Sequence, residues 1–351
     1  MFEKNTISVV MPNFNHGRYL EESVTAILNQ SHKPLELIII DDFSEDDSLE
    51  ILEKLAKNNP IIKIIKKLKN TGIINSMNIG LNMSRGEYIY HCAADDRVEE
   101  QFFFKAISLL QKYPSAGIFS ALVRRIDEVG SQKEWIRTPV ISNKEIYLNS
   151  KNVLKYLDRY GFWFAGQSVI YRRKFLVEAI GYYSEKLKHR VDHFADYLVA
   201  IKHGAVFSPE ILSTYRLLST GYAETQFRDV ESSLSSFKYM ISQMRNEKYN
   251  LYFPAKFIDT LEKRDGADIH YRALKDLLNQ HIEYINNNLI DNNNKYYSIS
   301  TKIFLNLMTI NHKIQSVFLK VYFFTIKFNF DYNWLFGKII VRFRSPKRFA
   351  N

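Results

Sequence analysis

One cysteine, Cys92, is the only thiol in this chain of 351 residues. Its isolation excludes an internal disulfide framework and any cluster of thiolate metal ligands, and it suits a reducing cytoplasm. Cys92 lies inside the apolar run Tyr88-Ile89-Tyr90-His91-Cys92, where a small core residue is expected rather than a nucleophile. No apolar run approaches the roughly eighteen residues that a membrane-spanning helix needs. Met1 to Thr6 leads straight into the strand-like Ile7-Ser8-Val9-Val10-Met11, so no signal peptide is expected. No G-x-G-x-x-G follows that strand, which disfavours a dinucleotide fold of the dehydrogenase kind. Net charge is also scarce over most of the chain. From Lys295 to Asn351 ten Lys or Arg stand against one acid, Asp331, so this tail carries +9 of a total of +10.

With 46% hydrophobic and 25% charged residues, the composition is that of a globular protein long enough for two or so domains. Its first third alternates strand and helix. Strand-like Ile7–Met11 is followed by a helical pattern of Tyr19, Leu20, Val24, Ile27 and Leu28, then by strand-like Leu35–Ile40. Ser44 or Asp46 is placed to cap a helix through Leu49, Leu52 and Leu55. Ile61–Ile65, a helix around Ile74–Met83 and the Tyr88–Cys92 run complete the series. This alternation predicts an α/β fold with a doubly wound, mostly parallel sheet.

The ends of these strands are polar: Pro12-Asn13-Phe14-Asn15, then Asp41-Asp42, then Asp95-Asp96. In such a sheet these ends converge on one crevice. Two adjacent acids repel each other unless a cation or a hydrogen-bond network offsets them, so a hard divalent metal is a natural partner for Asp95 and Asp96. Asn and Asp side chains suit the edges of a nucleobase and ribose, and they are equally good turn formers.

Four motifs in order carry a resemblance: Ser8-Val9-Val10-Met11-Pro12-Asn13-Phe14-Asn15; Ile40-Asp41-Asp42-Phe43-Ser44; Asn70-Thr71-Gly72 with Asn78-Ile79-Gly80; and Arg85-Gly86-Glu87-Tyr88 with Ala94-Asp95-Asp96. Together they resemble the family 2 glycosyltransferases of the GT-A fold. The resemblance implies a nucleotide-sugar donor, most often a UDP-sugar, bound with Mg²⁺ or Mn²⁺. It implies that Pro12, Asn13, Phe14 and Asn15 line the nucleoside, that Asp41 contacts the uracil, and that Asp95 binds the metal with help from Asp96. Asp42, Asn70, Gly72 and Asn78 fall on the same donor side. Three positions depart from the family pattern. Ala93 stands where the first acid of D-x-D usually lies, Phe43 replaces the Gly of D-D-G-S, and Met77 sits where many members carry an Arg.

The middle of the chain is expected to supply the acceptor side. Phe162-Trp163-Phe164-Ala165-Gly166-Gln167-Ser168 is aromatic-rich. Core is expected for Phe162 and Phe164, and Trp163 is a candidate acceptor-facing ring. By resemblance Gly166 and Gln167 belong to the acceptor-side strand. Asp192 and Asp196, four apart, share a helical face, and Phe194 is expected to shield them. An inverting transferase needs one base to take the acceptor hydroxyl proton; by resemblance Asp192 falls at that position, with His193 and Asp196 as runners-up. Arg216, closing the last strand, is a candidate to hold the diphosphate or a surface residue.

The expected organisation is a GT-A-like catalytic domain over 1–229, with a donor half at 1–98 and an acceptor half at 99–229. A helical, basic, aromatic-rich region follows over 230–351. Apolar stripes between Leu274 and Val321 read as helices. The basic aromatic tail from 295 to 351 reads as a surface for anionic membrane, so a cytoplasmic protein, peripheral on the inner face of the membrane, is expected. No recognised nucleic-acid motif accompanies the charge. The expected activity is inverting transfer of a sugar to a glycan or lipid-linked acceptor in surface polysaccharide synthesis. Its rivals are a non-catalytic nucleotide-sugar-binding scaffold and a sugar nucleotidyltransferase.

Overall fold

The computed structural model describes residues 3–266, apart from 134 and 137, together with 269. The chain divides into two compact units, Met1–Glu262 and Lys263–Asn351. The elements of the first unit run β1 (Glu3–Asn13), α1 (Gly17–Leu28), β2 (Glu36–Asp41), α2 (Ser48–Lys57), β3 (Ile62–Lys66), α3 (Ile73–Met83), β4 (Gly86–His91), β5 (Arg97–Val98), α4 (Phe102–Lys112) and β6 (Ile118–Ile126). Next come β7 (Gln132–Lys133), β8 (Trp135–Ile136), β9 (Ile146–Leu148), α5 (Ser150–Tyr160), β10 (Ile170–Arg172), α6 (Arg173–Ile180), α7 (Val191–His203) and β11 (Ala205–Arg216). Three helices follow: α8 (Tyr222–Arg228), α9 (Val230–Arg245) and α10 (Ala255–Leu261).

One sheet carries the site, in the order β3-β2-β1-β4-β10-β6-β11-β5. β3, β2, β1 and β4 are mutually parallel, as the alternating sequence predicts. All six residues of β2 are buried, which an unbroken apolar run achieves only when helices cover both faces. β10 is inserted antiparallel between β4 and β6, while β6 and β11 are again parallel to one another. This reversal brings the start of β10 and the end of β11 to the edge where β1, β2 and β4 end. A ligand crevice belongs at that edge.

Close packing explains part of the sequence. A Cβ on Gly80 of α3 would stand 2.1 Å from a Val10 methyl carbon of β1, so this helix lies on the sheet only with glycine there. Tyr90, Phe102, Phe103 and Phe119 form the aromatic centre of the core, with neighbouring centroids 5.2–6.2 Å apart. Asp46, rather than the residue before the helix, serves the start of α2. Its Oδ1 accepts from the Ser48 amide at 3.0 Å and its Oδ2 from the Gly17 amide at 2.9 Å, joining the starts of α1 and α2.

The unit extends through α9 and α10. Phe194 of α7 packs on Tyr249 and Phe253, with centroids 5.4 and 6.1 Å away. Among the described residues no helix is long and apolar enough to cross a membrane. The stripes between Leu274 and Val321 and the basic tail at 295–351 lie outside the described residues.

Candidate functional site

At the ends of β1 and β2 a compact polar knot forms. Asn13 Nδ2 donates to Asp41 Oδ1 at 2.9 Å and to Ser44 Oγ at 3.2 Å. Ser44 donates through its amide to Asp41 Oδ2 at 3.0 Å and through its hydroxyl to Asp41 Oδ1 at 2.6 Å. The Asn15 amide donates to Ser44 Oγ at 3.0 Å, and Asn15 Oδ1 accepts from the Glu45 amide at 2.8 Å. Asp41 has no exposed surface, which corrects the expectation of direct uracil contact. It braces Asn13 and Ser44, and Phe14, Asn15 and Ser44 form the accessible surface.

Asp42 is likewise a brace. Lys67 Nζ lies 2.6 Å from its Oδ1 with both side chains nearly enclosed, and the Thr71 amide donates to the same oxygen at 2.9 Å. Lys67 also donates to Ser76 Oγ at 3.2 Å. Reading along the sequence missed Lys67, since a lysine just past a strand carries no signal until its acid partner is placed beside it. Asn70 holds the next turn, its Oδ1 accepting from the Gly72 amide at 3.1 Å; Asn70 and Gly72 are exposed. The Asn78 side chain is fully engaged. Both ends of its amide pair with the Tyr183 backbone, at 2.9 and 2.8 Å, so it ties α3 to the segment before α7.

Beyond β4, the Asp95 carboxyl is largely enclosed, with His16 Nδ1 3.8 Å away. Burial raises its pKa, against the opposing charges of His16 and Arg216. A carboxylate held this way is favoured in its ionised form by any further cation, so a divalent ion fits at Asp95. Among the described residues no group of three His, Cys, Asp or Glu side chains could enclose a metal; the remaining ligands would have to come from a bound molecule. Asp96 faces elsewhere. It is buried, and its Oδ1 accepts from the Arg216 amide at 2.8 Å, pinning the end of β11.

The Arg216 guanidinium is engaged at all three of its nitrogens. Its Nε donates to the Asp95 carbonyl at 3.2 Å, Nη1 to the Glu128 carbonyl at 3.3 Å and Nη2 to Glu22 at 2.6 Å. Tyr19 lies beneath the guanidinium, 4.8 Å from its centroid. Arg18 pairs with Glu128 at the neighbouring turn.

Across β4 stands the acceptor side. The single helical turn Gly166–Ser168 precedes β10, and the Gln167 carbonyl accepts from Tyr90 of β4 at 3.0 Å. A Cβ on Gly166 would lie 3.3 Å from Asp192 Oδ2, so this glycine sits against the carboxylate. Asp192 is half-buried in the first turn of α7, its Oδ1 accepting from the His193 amide at 2.8 Å. His193 packs at a tilt against Phe162, with centroids 4.2 Å apart. Trp163 is fully buried, packed on Phe164 and Tyr156, so the accessible ring here is Phe162. Tyr222 joins this side: burial and the Asp192 charge raise its phenol. No motif marked it.

Asp196 differs from Asp192 in every physical respect. It is fully buried, accepts a hydrogen bond from the Tyr171 hydroxyl, and leaves its Oδ2 without a partner. Burial, and secondarily the Asp192 charge, push its pKa well up. His91 completes the cluster, its ring 5.3 Å from Tyr183 and 6.4 Å from Tyr171. Although the residue keeps some exposure, its Nε2 is enclosed without a partner, and burial pushes its pKa down to about 3. The unfolded chain takes up a proton near the ordinary value of 6.5 while the folded chain does not, so His91 costs stability progressively as pH falls from 6.5 towards 3. We predict that His91→Leu reduces the loss of unfolding free energy between pH 7 and pH 5, by up to about 2 kcal/mol, in urea titrations. An unchanged pH dependence would place the His91 proton elsewhere.

A mostly parallel α/β sheet with polar loops at its carboxyl edge and an antiparallel strand inserted beside the acidic loop is a GT-A fold. Residues 8–178 match the sequence model of Glycosyl transferase family 2. It is 39% identical over 106 residues to an uncharacterized glycosyltransferase of Haemophilus influenzae, covering 30% of this chain and 33% of that protein. It is 38% identical over 98 residues to the poly(ribitol-phosphate) beta-N-acetylglucosaminyltransferase TarP of Staphylococcus aureus, covering 27% of this chain and 30% of the relative. The chain thus spans about a third of the length of these curated relatives. The structure of S. aureus TarS residues 1–349 with UDP-GlcNAc superposes with a TM-score of 0.57 at 18% identity, over 74% of this chain and 73% of that one.

Proposed function

We propose that this protein is an inverting glycosyltransferase that moves a sugar from a nucleotide-sugar, a UDP-sugar in our reading, to a glycan or lipid-linked acceptor. The observation that carries the reading is the pairing, on either side of the end of β4, of an enclosed Asp95 carboxylate and an accessible Asp192 carboxylate. The nucleoside sits against Pro12, Phe14, Asn15 and Ser44, held in place by Asn13, Asp41 and Asp42. Asp95 holds Mg²⁺ or Mn²⁺, which when bound neutralises charge on the departing diphosphate. Arg216 and Asp96 fix the loop that carries Asp95. Asp192 takes the acceptor hydroxyl proton, with Gly166, Gln167, Phe162 and His193 as the acceptor wall. Asp196, buried behind it, is not the base in this reading.

The likeness to TarP, a poly(ribitol-phosphate) beta-N-acetylglucosaminyltransferase, supports a polymeric acceptor. We extend the proposal to the chain's organisation: a catalytic part over 1–229, and a region from 230 whose basic tail at 295–351 is drawn to anionic lipid on the cytoplasmic face. The test is a panel of nucleotide-sugars with Mn²⁺, read by thermal stabilisation and nucleotide release. UDP-sugars are expected to raise the melting temperature by mass action and to yield free UDP. Stabilisation without release favours a binding scaffold, and diphosphate release from a nucleoside triphosphate favours a nucleotidyltransferase.

A further inference from the structure

Phe43 stands between two braced residues in a backbone conformation that suits glycine. Its φ is +68°, an outlier for a bulky side chain. The residues on both sides force it. The Asp42 amide donates to the Asn13 carbonyl at 2.8 Å, Lys67 holds the Asp42 carboxylate at 2.6 Å, and the Ser44 amide donates to Asp41 Oδ2 at 3.0 Å. Such strain persists where the surroundings over-determine it, and it collects at functional sites.

The ring gives the fold nothing visible in return. Phe43 is 46% exposed, and among the described residues no ring stacks on it and no cation lies over it. Phe14 is 43% exposed and equally isolated. It is one residue before Asn15, which also has a positive φ, +55°, and whose amide is tied to Ser44 Oγ at 3.0 Å. Two half-exposed rings therefore flank one hydrogen-bonded knot of Asn13, Asp41 and Ser44. Apolar faces beside a polar edge match a planar heterocycle, with stacking area above and hydrogen-bond donors and acceptors around its rim.

We propose that Phe43 is a specificity-determining residue of the donor site, its ring stacking on the nucleobase opposite the Phe14 loop. The proposal rests on the nucleotide-sugar reading and assigns to this chain an aromatic wall where glycine would relieve the strain. A ring kept only by chance predicts that its removal improves the protein and changes nothing else.

Phe43→Gly and Phe43→Tyr in the full chain separate these cases, with binding of UDP and of uridine measured by calorimetry in Mn²⁺ alongside the melting temperature. Phe43→Gly is expected to melt at or above the parent temperature. It should bind UDP and uridine about tenfold more weakly, by the same factor for both because the lost contact is to the base. Phe43→Tyr is expected to bind as the parent does. If Phe43→Gly does not fold, Phe43→Ala keeps the Cβ and removes the ring, and the same loss is expected. Affinity within about twofold of the parent in the ring-less variant overturns the proposal for Phe43 alone. A loss confined to UDP also overturns it, since it would place the contact at the diphosphate. A parent that binds neither UDP nor uridine overturns the donor reading and this proposal together.

Discussion

Asp192→Asn is expected to lower the rate of sugar transfer by about 10²–10⁴-fold, the range over which a positioned general base contributes, while UDP binding stays at the parent level. The expectation rests on the contrast between two acids one helical turn apart. Asp192 is half-buried beside Gly166, with one oxygen engaged by a backbone amide. Asp196 is fully buried and bonded to Tyr171, with its pKa pushed well up by burial. A carboxyl with no open surface is not placed to take the acceptor proton, and Asn matches it in shape. Asp196→Asn is therefore expected to keep most of the transfer rate. The measurement is kcat at saturating donor, with UDP affinity determined separately. Near-normal transfer by Asp192→Asn with intact donor binding would sink the base assignment, and a larger loss in Asp196→Asn would move it one turn along the helix.

Asp95→Asn is expected to abolish the stabilisation that Mn²⁺ adds in the presence of UDP and to reduce transfer by about 10²-fold or more. Asp95 is the largely enclosed carboxylate that its loop offers to a cation, since Ala93 supplies none and Asp96 is engaged at the end of β11. Removing its charge leaves the site with no acidic ligand of its own. Asp96→Asn should behave differently: it weakens the tie to the Arg216 amide and lowers the melting temperature, while Mn²⁺ continues to stabilise the UDP complex. Titrating Mn²⁺ against the melting temperature of both variants distinguishes them. If Asp95→Asn retains the full Mn²⁺ response, the metal does not sit there.

Much of this was readable in the residues. The alternation of Ile7–Met11, Leu35–Ile40 and Tyr88–Cys92 with helical patterns gives the parallel half of the sheet, because buried parallel strands need unbroken apolar runs. The polar ends of those runs mark the crevice, and the pairing of Asp192 with Asp196 follows from helical spacing alone. Which of two similar side chains is accessible was not readable. Trp163 and Phe162 are neighbours in one aromatic run, yet the packing of Tyr156 and Phe164 encloses the first while the second reaches His193. Asn78 belongs to a donor motif, and only the position of Tyr183, 105 residues away, shows that its amide is taken. Lys67 and Tyr222 carry no motif.

Local pattern, then, determined the strands, the helices and the loops where chemistry gathers, since periodicity and turn preference are properties of neighbours in the chain. The tertiary structure decided how each acid is used. Asp41 and Asp42 became braces, Asp96 an anchor for β11 and Asp196 a buried group, leaving Asp95 largely enclosed beside His16 and Asp192 half-buried against Gly166. Solvation and long-range partners set those outcomes, and both come from residues far apart in sequence.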